Sequence, residues 1–251
     1  MSESFRALCS DFYVNSKLSV KLELPRTRET VLEFFERIRR QFPDMEHFRR
    51  YKDELALESP QSGSPHRWAA VRTTSVRGGV VNPERLAEAY SLHRHLLEAS
   101  PYYLTIRPLD IDYFELLYGF DFDCRANHDG VIFDALMAGS PLGSLLEMPG
   151  AAPIDCQPMA CFAFGERQEY EAQFEVKSRR QLPASRTGES TGEPISVYIT
   201  IRRIGPFGDV RELPDALTDL AARGEDLVQH QVVPRLLVPL RDAIAFGSSG
   251  A

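Results

Sequence analysis

The sequence lacks several features that would assign it to a functional class. It has no apolar run of about 18 residues, so no membrane-spanning helix is predicted. Its first segment, MSESFRALCSDFYVNSKL, lacks the charged head, apolar middle and small-residue cleavage site of a signal peptide, which favours a cytoplasmic protein. The motifs GxGxxG, GxxxxGK[ST] and HExxH are absent, so dinucleotide loops, phosphate loops and zincin helices are not predicted.

Paired cysteines are also missing. The four cysteines are Cys9, Cys124, Cys156 and Cys161, and none of them forms a CxxC pair. Structural zinc sites usually draw ligands from such pairs, so no zinc site is expected. Cys156 and Cys161 have no histidine nearby in sequence that could activate a nucleophile. Without a secretion signal, free buried thiols are the favoured interpretation of all four.

Lysine is scarce, and the charge is uneven along the chain. Only 4 of the 29 basic residues are lysine, and the net charge is −7. Residues 1–110 carry 17 basic and 15 acidic residues, a balance of +2, whereas residues 111–251 carry 12 and 21, a balance of −9. Neither part has the concentrated basic face of a nucleic-acid-binding protein, so no nucleic-acid partner is predicted. The arginine excess suits bidentate anion binding, but a G+C-rich genome explains it equally and is favoured.

Periodicity in the first half predicts a strand, a helix, two strands and a second helix. The alternating apolar residues of the first strand are Leu18, Val20, Leu22 and Leu24. Thr27 can cap the first helix. The apolar stripe of that helix is Val31, Phe34, Phe35, Ile38 and Phe42. Weaker strand signals cover residues 48–58 and 67–76, and Asn82-Pro83-Glu84 is typical of a helix start.

The second half begins with a clear strand near Ile111. The side chains that share one face of this strand are Phe114, Leu116, Tyr118, Phe120 and Phe122. Two short helices are predicted next, one over residues 129–138 and one that starts at Ser140-Pro141.

Three more strands and a long helix complete the chain. The strands are predicted at residues 159–164, 170–176 and 195–201. Residues 179–194 are rich in glycine, proline and serine and are expected to form a mobile loop. The final helix starts near Arg211 and should kink or break at Pro234 and Pro239, and the tail GSSGA is expected to be disordered.

Written as elements, the chain is β-α-β-β-α followed by β-α-β-β-α. This order predicts a tandem duplication in which residues 1–108 and 109–247 form two units of one globular domain. Strands with one wet face predict an α+β fold of mostly antiparallel sheet, with helices packed on one face. The segments LELPRTRETVLEFF and FDFDCRANHDGVIFDAL share a strand, a capping turn and an apolar helix start. The order of elements resembles tandem TATA-binding-protein-like or helix-grip folds, a resemblance of topology that implies no function.

The densest group of chemically able side chains lies in the stretch LLYGFDFDCRANHDGV. Side chains two apart on a strand share a face, so Asp121 and Asp123 are expected to point the same way. If His128 or Asp129 folds back towards them, the group could bind Mg²⁺, Mn²⁺ or Zn²⁺. The favoured alternative is a wet strand end followed by helix-capping residues.

Two other groups of polar side chains have a structural and a functional interpretation. His93 lies on the apolar stripe of the second helix and His95 does not, so His93 is interpreted as a core histidine. Its functional alternative is a histidine that lines an internal pocket. The glutamates of residues 169–175 are predicted to pair across strands with Arg202 and Arg203, and an acidic docking surface is the alternative.

No residue is assigned a catalytic role and no cofactor is predicted. The favoured hypothesis is a non-enzymatic binding or scaffold module for a protein or a small apolar ligand. It would use a sheet face, or a cavity between the sheet and the C-terminal helix, because 15 Phe and 9 Tyr accompany no catalytic signature. The alternative is a hydrolase-like, divalent-metal-dependent enzyme centred on Asp121, Asp123 and His128. Self-association through edge strands is a third hypothesis, and the oligomeric state is left open.

Overall fold

The structure is a computed structural model that describes residues 5–62, 65–146, 148–178 and 193–247. The predicted polar loop and the predicted disordered tail fall almost wholly outside these ranges. No helix within them is long and apolar enough to cross a membrane.

The described ranges hold a nine-stranded sheet and its covering helices. The strands are β1 (Asp11–Val20), β2 (His47–Arg50), β3 (Leu55–Glu58), β4 (His66–Arg72), β5 (Ser75–Val81), β6 (Ile111–Phe122), β7 (Met159–Phe164), β8 (Tyr170–Ser178) and β9 (Ile195–Ile204). The α-helices are α1 (Arg28–Gln41), α2 (Leu86–Tyr103), α3 (His128–Leu136), α4 (Leu213–Leu227) and α5 (Val238–Gly247). A π-helical segment, Val228–Leu237, joins α4 to α5.

All nine strands pair antiparallel in the order β2-β3-β4-β5-β1-β6-β9-β8-β7. Alternate residues of the central strands, such as Phe12 on β1 and Phe120 on β6, are fully buried under the helices. Helix α2 contacts β5 and β1, and α4 contacts β6 and β9. The predicted α+β class, with an antiparallel sheet and helices on one face, is therefore confirmed.

On both sides of the central β1–β6 pair, the outer strands follow in reverse chain order. Moving outwards, β1 is followed by β5, β4, β3 and β2, and β6 is followed by β9, β8 and β7, so the β1 side has one strand more. This order is compatible with two units at residues 1–108 and 109–247, and the duplication remains a prediction.

The extent of the first strand was predicted wrongly. Strand β1 begins at Asp11, well before the alternating residues that start at Leu18, and it ends at Val20. The pairing with β6 shifts register between Ser19 and Val20, so the chain leaves the sheet there. Leu22 is consequently 65% exposed, although the alternation placed it in the core.

Each of the two segments with a weak strand signal forms part of a β-hairpin and not a single strand. Residues 48–58 form β2 and β3, joined by a turn in which the amide of Tyr51 donates to the carbonyl of Glu54. Residues 67–76 run from β4 into the start of β5. Two adjacent glycines often mark a bend or bulge, but Gly78 and Gly79 both pair regularly within β5. Strands this short contain too few residues for periodicity to separate them.

The C-terminal helix continues past its first proline. Pro234 has no amide hydrogen to donate, and the backbone around it takes π-helical geometry instead of breaking. Pro239 is the second residue of α5, directly after the π-helical segment, and the helix continues through this proline as well. The helix predicted from Ser140 is a 3₁₀ turn, Gly143–Leu146.

Tyr118 fills the contact between the sheet and α4. Its side chain is fully buried on β6, and its hydroxyl lies 2.8 Å from the hydroxyl of Tyr90 and 3.4 Å from the carbonyl oxygen of Ala221. Burial raises the pKa of Tyr118 well above its usual range. A Cβ on Gly224 would lie 2.5 Å from Cε2 of Tyr118, so α4 can approach the sheet only because residue 224 is glycine.

We expect Gly224→Ala to destabilise the protein by about 1–3 kcal/mol, because the added methyl group overpacks against Tyr118. Helix propensity alone would make alanine more stable than glycine by up to about 1 kcal/mol. A loss of stability would therefore report the packing against Tyr118 and not helix propensity. Urea unfolding measures the effect. Gly130→Ala in α3 is the matched control, since its nearest contact would be 3.6 Å and it should stabilise. Equal stabilisation by both changes would contradict the packing of Tyr118 on α4.

Candidate functional site

The sheet face opposite the helices, called the open face here, has a regular pattern of side chains. Cross-strand register aligns one charged residue from each of five strands into a row, which consists of Arg77, Lys17, Glu115, Arg202 and Glu171. Arg202 contacts Glu115 at 2.7 Å and Glu171 at 3.2 Å, so the predicted pairing of Arg202 with the glutamates of β8 is confirmed. Arg203 instead lies 3.5 Å from Glu212. The row contains three cations and two carboxylates, with Arg77 next to Lys17 at one end, so its net charge is +1.

Beside the charged row, the open face has a concavity of about 410 Å³, which we call the cup. Its lining is Asp11, Tyr13, Asn15, Trp68, Arg77, Val81, Leu117, Asp121 and Tyr198. These residues come from β4, β5, β1, β6 and β9, so the cup straddles the centre of the sheet. Trp68 is the single tryptophan of the chain.

Two glycines explain how aromatic rings can lie across the sheet at this point. Gly119 on β6 pairs with Tyr13, and a Cβ at residue 119 would overlap the Tyr13 ring. Gly79 on β5 pairs with Trp68, and a Cβ there would overlap the indole. The rings of Tyr13 and Tyr198 are 6.5 Å apart between centroids. Glycine in a strand marks a close approach of another group, and here that group is an aromatic side chain.

The two ends of the cup differ in charge. At one end, Asp121 accepts hydrogen bonds from the hydroxyls of Tyr13 at 3.2 Å and Ser196 at 2.6 Å. Asp11 pairs with Asp121 across the β1–β6 pair, and its carboxylate accepts a hydrogen bond from the side-chain amide (Nδ2) of Asn82 at 2.6 Å. Neither carboxylate forms an ion pair with a cation in the part of the chain that the structure describes.

At the other end, Arg77 has its own partners. Its guanidinium lies 3.4 Å from Glu54 and 5.6 Å from the centre of the Trp68 ring. The positive charge is therefore shared with an acid and an aromatic face. The charge of the cup that has no oppositely charged partner in the described ranges is therefore negative, and it lies at the Asp11–Asp121 end.

Cys9 lies close to this acidic end. Burial, and then the charges of Asp11 and Asp121, raise the pKa of the Cys9 thiol to about 12. A thiol with this pKa stays protonated at neutral pH and is a poor nucleophile.

The structure does not bring together the three predicted metal ligands. Asp121 lies in the cup, Asp123 is exposed, and His128 is 3% exposed at the start of α3. The imidazole Nε2 of His128 lies 3.0 Å from the carbonyl oxygen of Cys124. Within the described ranges, no group of three or more histidine, cysteine or acidic side chains is placed to hold a metal ion. The metal site at Asp121, Asp123 and His128 therefore stays a prediction.

His93 is a core histidine, as its position on the apolar stripe indicated. It is fully buried, with Nδ1 2.9 Å from the hydroxyl of Ser16 and Nε2 3.2 Å from the carbonyl of Val14. Burial lowers the pKa of His93 to about 4. His95 was expected off the buried face, but it is only 8% exposed and its Nε2 lies 3.3 Å from the carbonyl of Arg37. Helix α2 packs on both the sheet and α1, so two of its faces are buried.

The cysteines are all free, but they are not all buried. Cys124 is buried, Cys9 and Cys156 are half-buried, and Cys161 is exposed. Cys161 lies on β7, which is an edge strand of the sheet, and this explains its exposure. Burial, followed by the charges of Asp129 and Asp155, raises the pKa of Cys156.

Comparison with known proteins assigns no family. No protein-family model matches the chain, and no curated protein matches it. Among solved structures, the chain is matched to the di-domain ARO/CYC BexL from the BE-7585A biosynthetic pathway, with 10% sequence identity. The match covers 92% of this chain and 98% of that chain, with a TM-score of 0.19. A likeness this weak carries no argument about fold or function.

The buried state of His93 predicts a specific loss of stability in acid. The unfolded chain protonates this histidine below about pH 6.5, whereas the folded protein resists protonation until about pH 4. Stability should therefore fall by about 3 kcal/mol as the pH drops between these values, through this residue alone. Urea unfolding at pH 7.5 and pH 4.5 should show a smaller pH-dependent loss for His93→Gln than for wild type. His47→Gln, at an exposed position, should keep the wild-type loss. The same pH-dependent loss in all three proteins would contradict a neutral buried His93.

Proposed function

We propose that this protein is a non-enzymatic binding module whose ligand site is the cup on the open face. The observation that carries the proposal is the set of aromatic rings of Trp68, Tyr13 and Tyr198 around the cup. Two of them lie over glycines in the centre of a nine-stranded sheet. Tyr13 is only 9% exposed, whereas Trp68 and Tyr198 are half-buried, and a partly exposed ring supports stacking of a flat ligand.

The size and charge of the cup favour a small molecule. Its volume of about 410 Å³ falls within the range of about 300–1,000 Å³ that is usual for small-molecule sites. A flat apolar body would stack against Tyr198 on β9, the strand next to the β6 strand that carries Asp121, because Trp68 on β4 is four strands away from β9. An amine or another hydrogen-bond donor at one end would face Asp121 and Asp11, which have no cationic partner in the described part of the chain.

The open face has more support as the ligand site than the space under the C-terminal helix. Tyr118 occupies the contact between β6 and α4, and its ring packs directly on Gly224. A ligand between the sheet and this part of α4 would have to displace that ring. A ligand that binds in the cup would not have to displace the Tyr118 ring.

The proposal predicts that phenethylamine, a flat ring that carries an ammonium group, binds in the cup. The single indole N–H resonance, which belongs to Trp68, should shift saturably during a titration followed by ¹H–¹⁵N NMR. Phenylacetate, with the same ring and the opposite charge, should bind several-fold more weakly because it would face Asp121 and Asp11.

A matched pair of variants tests the role of stacking. Tyr198→Ser should weaken phenethylamine binding about tenfold, because stacking of a ligand ring on an aromatic side chain contributes roughly 1–3 kcal/mol to binding. Tyr102→Ser removes a tyrosine that is 72% exposed on α2 and should change nothing. An indole resonance that does not respond to either compound would contradict the proposal. Native mass spectrometry of the purified protein then identifies any co-purified molecule or metal ion, and a bound divalent ion would favour the metal-dependent alternative.

A further inference from the structure

A second concavity, of about 650 Å³, lies between the start of α1 and the β2–β3 turn, and we call it the cleft. It is lined by residues 26–32 on one side and 48–55 on the other. It shares no lining residue with the cup. A ligand in the cleft would therefore be independent of the proposed function.

Four basic side chains line the cleft without a counter-ion. Arg26 and Arg28 come from the start of α1, and Arg50 and Lys52 from the end of β2 and the turn after it. None of the four side chains forms an ion pair or hydrogen bond with any residue in the described part of the chain. Like charges gathered in one concavity repel each other, and an anion in the cleft would relieve this repulsion.

The acids of the lining do not neutralise this charge. The lining includes Asp53 and Glu54. Glu54 already lies 3.1 Å from Arg72 and 3.4 Å from Arg77, both outside the cleft. Asp53 alone therefore offsets four cations. This positive patch stands out in a chain whose net charge is −7.

The same cleft exposes apolar side chains. Leu32 is 42% exposed, and Phe48 and Tyr51 are each 49% exposed. The Phe48 ring packs edge-on against Phe35, with 5.9 Å between centroids, and the Tyr51 hydroxyl donates to Glu58 at 2.7 Å. These contacts hold both rings in place beside the cations. An apolar wall next to uncompensated cations matches a ligand with two chemically different ends.

We infer that the cleft binds a small amphiphilic anion. Its carboxylate or phosphate head would lie among Arg26, Arg28, Arg50 and Lys52, where guanidinium groups can donate two parallel hydrogen bonds. Its apolar body would cover Leu32, Phe48 and Tyr51 and remove their exposed surface from water. The hydroxyl of Thr27 already accepts from the amide of Thr30 at 3.4 Å, so the side-chain cations rather than the end of α1 would hold the head.

Isothermal titration calorimetry with four probes tests the inference in the full-length protein. Decanoate and decyl phosphate, below their micelle concentrations, should each bind saturably. Decyltrimethylammonium, with the opposite head, and inorganic phosphate, with no apolar body, should each bind at least tenfold more weakly. Raising the salt concentration from 50 to 500 mM should weaken the binding of both anions, because dissolved ions screen the exposed charges of the cleft. If neither anionic amphiphile binds, or if the cationic one binds as tightly, the inference is wrong.

Charge-removal variants locate the site. The double change Arg50→Gln with Lys52→Gln should weaken decanoate at least tenfold. A matched double change, Lys21→Gln with Arg125→Gln, removes the same charges at exposed positions outside the cleft and should leave the affinity within twofold. Equal affinity in both doubles would overturn the assignment. Tyr198→Ser, a change in the cup, separates the two sites: it should leave the affinity for decanoate within twofold, and a tenfold loss would mean that decanoate binds in the cup.

Discussion

The long antiparallel pairing of β1 with β6 is the constraint on which the rest of the structure depends. It runs from the Asp11–Asp121 pair to the Val20–Ile111 pair and places the two strands at the centre of the sheet. Residues far apart in sequence thereby become neighbours, and Phe12 and Phe120 stack under the helices with 5.1 Å between their rings. Because side chains alternate along a strand, this pairing also decides which residues face the open side.

The two faces of the β1–β6 pair have different surroundings: helices cover one face, and the other is the open face. The helix-covered face is filled by large side chains, and the contact of Tyr118 with Gly224 leaves no space at that point. The open face cannot be a dry core, since it has a row of charged side chains and, beside that row, carboxylates next to aromatic rings. Glycine at positions 79 and 119 is what allows rings to lie flat on this face. The candidate site is thus a consequence of the same register that builds the core.

Sequence reasoning predicted the class of the fold well because it depends on local periodicity. The stripe of α1 and the alternation in β6 are each visible in one segment. The site was missed because it depends on register between segments: Trp68, Tyr13 and Tyr198 lie on three strands, and no local pattern brings them together. No alternation marks Tyr13 in the sequence, because Phe12, Tyr13 and Val14 are all apolar or aromatic and all three are buried. The proposed metal cluster was inferred from closeness in sequence, and the chain turns between Asp123 and His128.

The most direct test of the central claim is a high-resolution crystal structure of the protein grown with saturating phenethylamine. The account predicts that the compound lies in the cup, with its ring against Tyr198 and its amine within hydrogen-bonding distance of Asp121 or Asp11. It also predicts that Tyr118 keeps its contact with α4. Density for the compound between the sheet and α4, with the cup filled only by water, would contradict it.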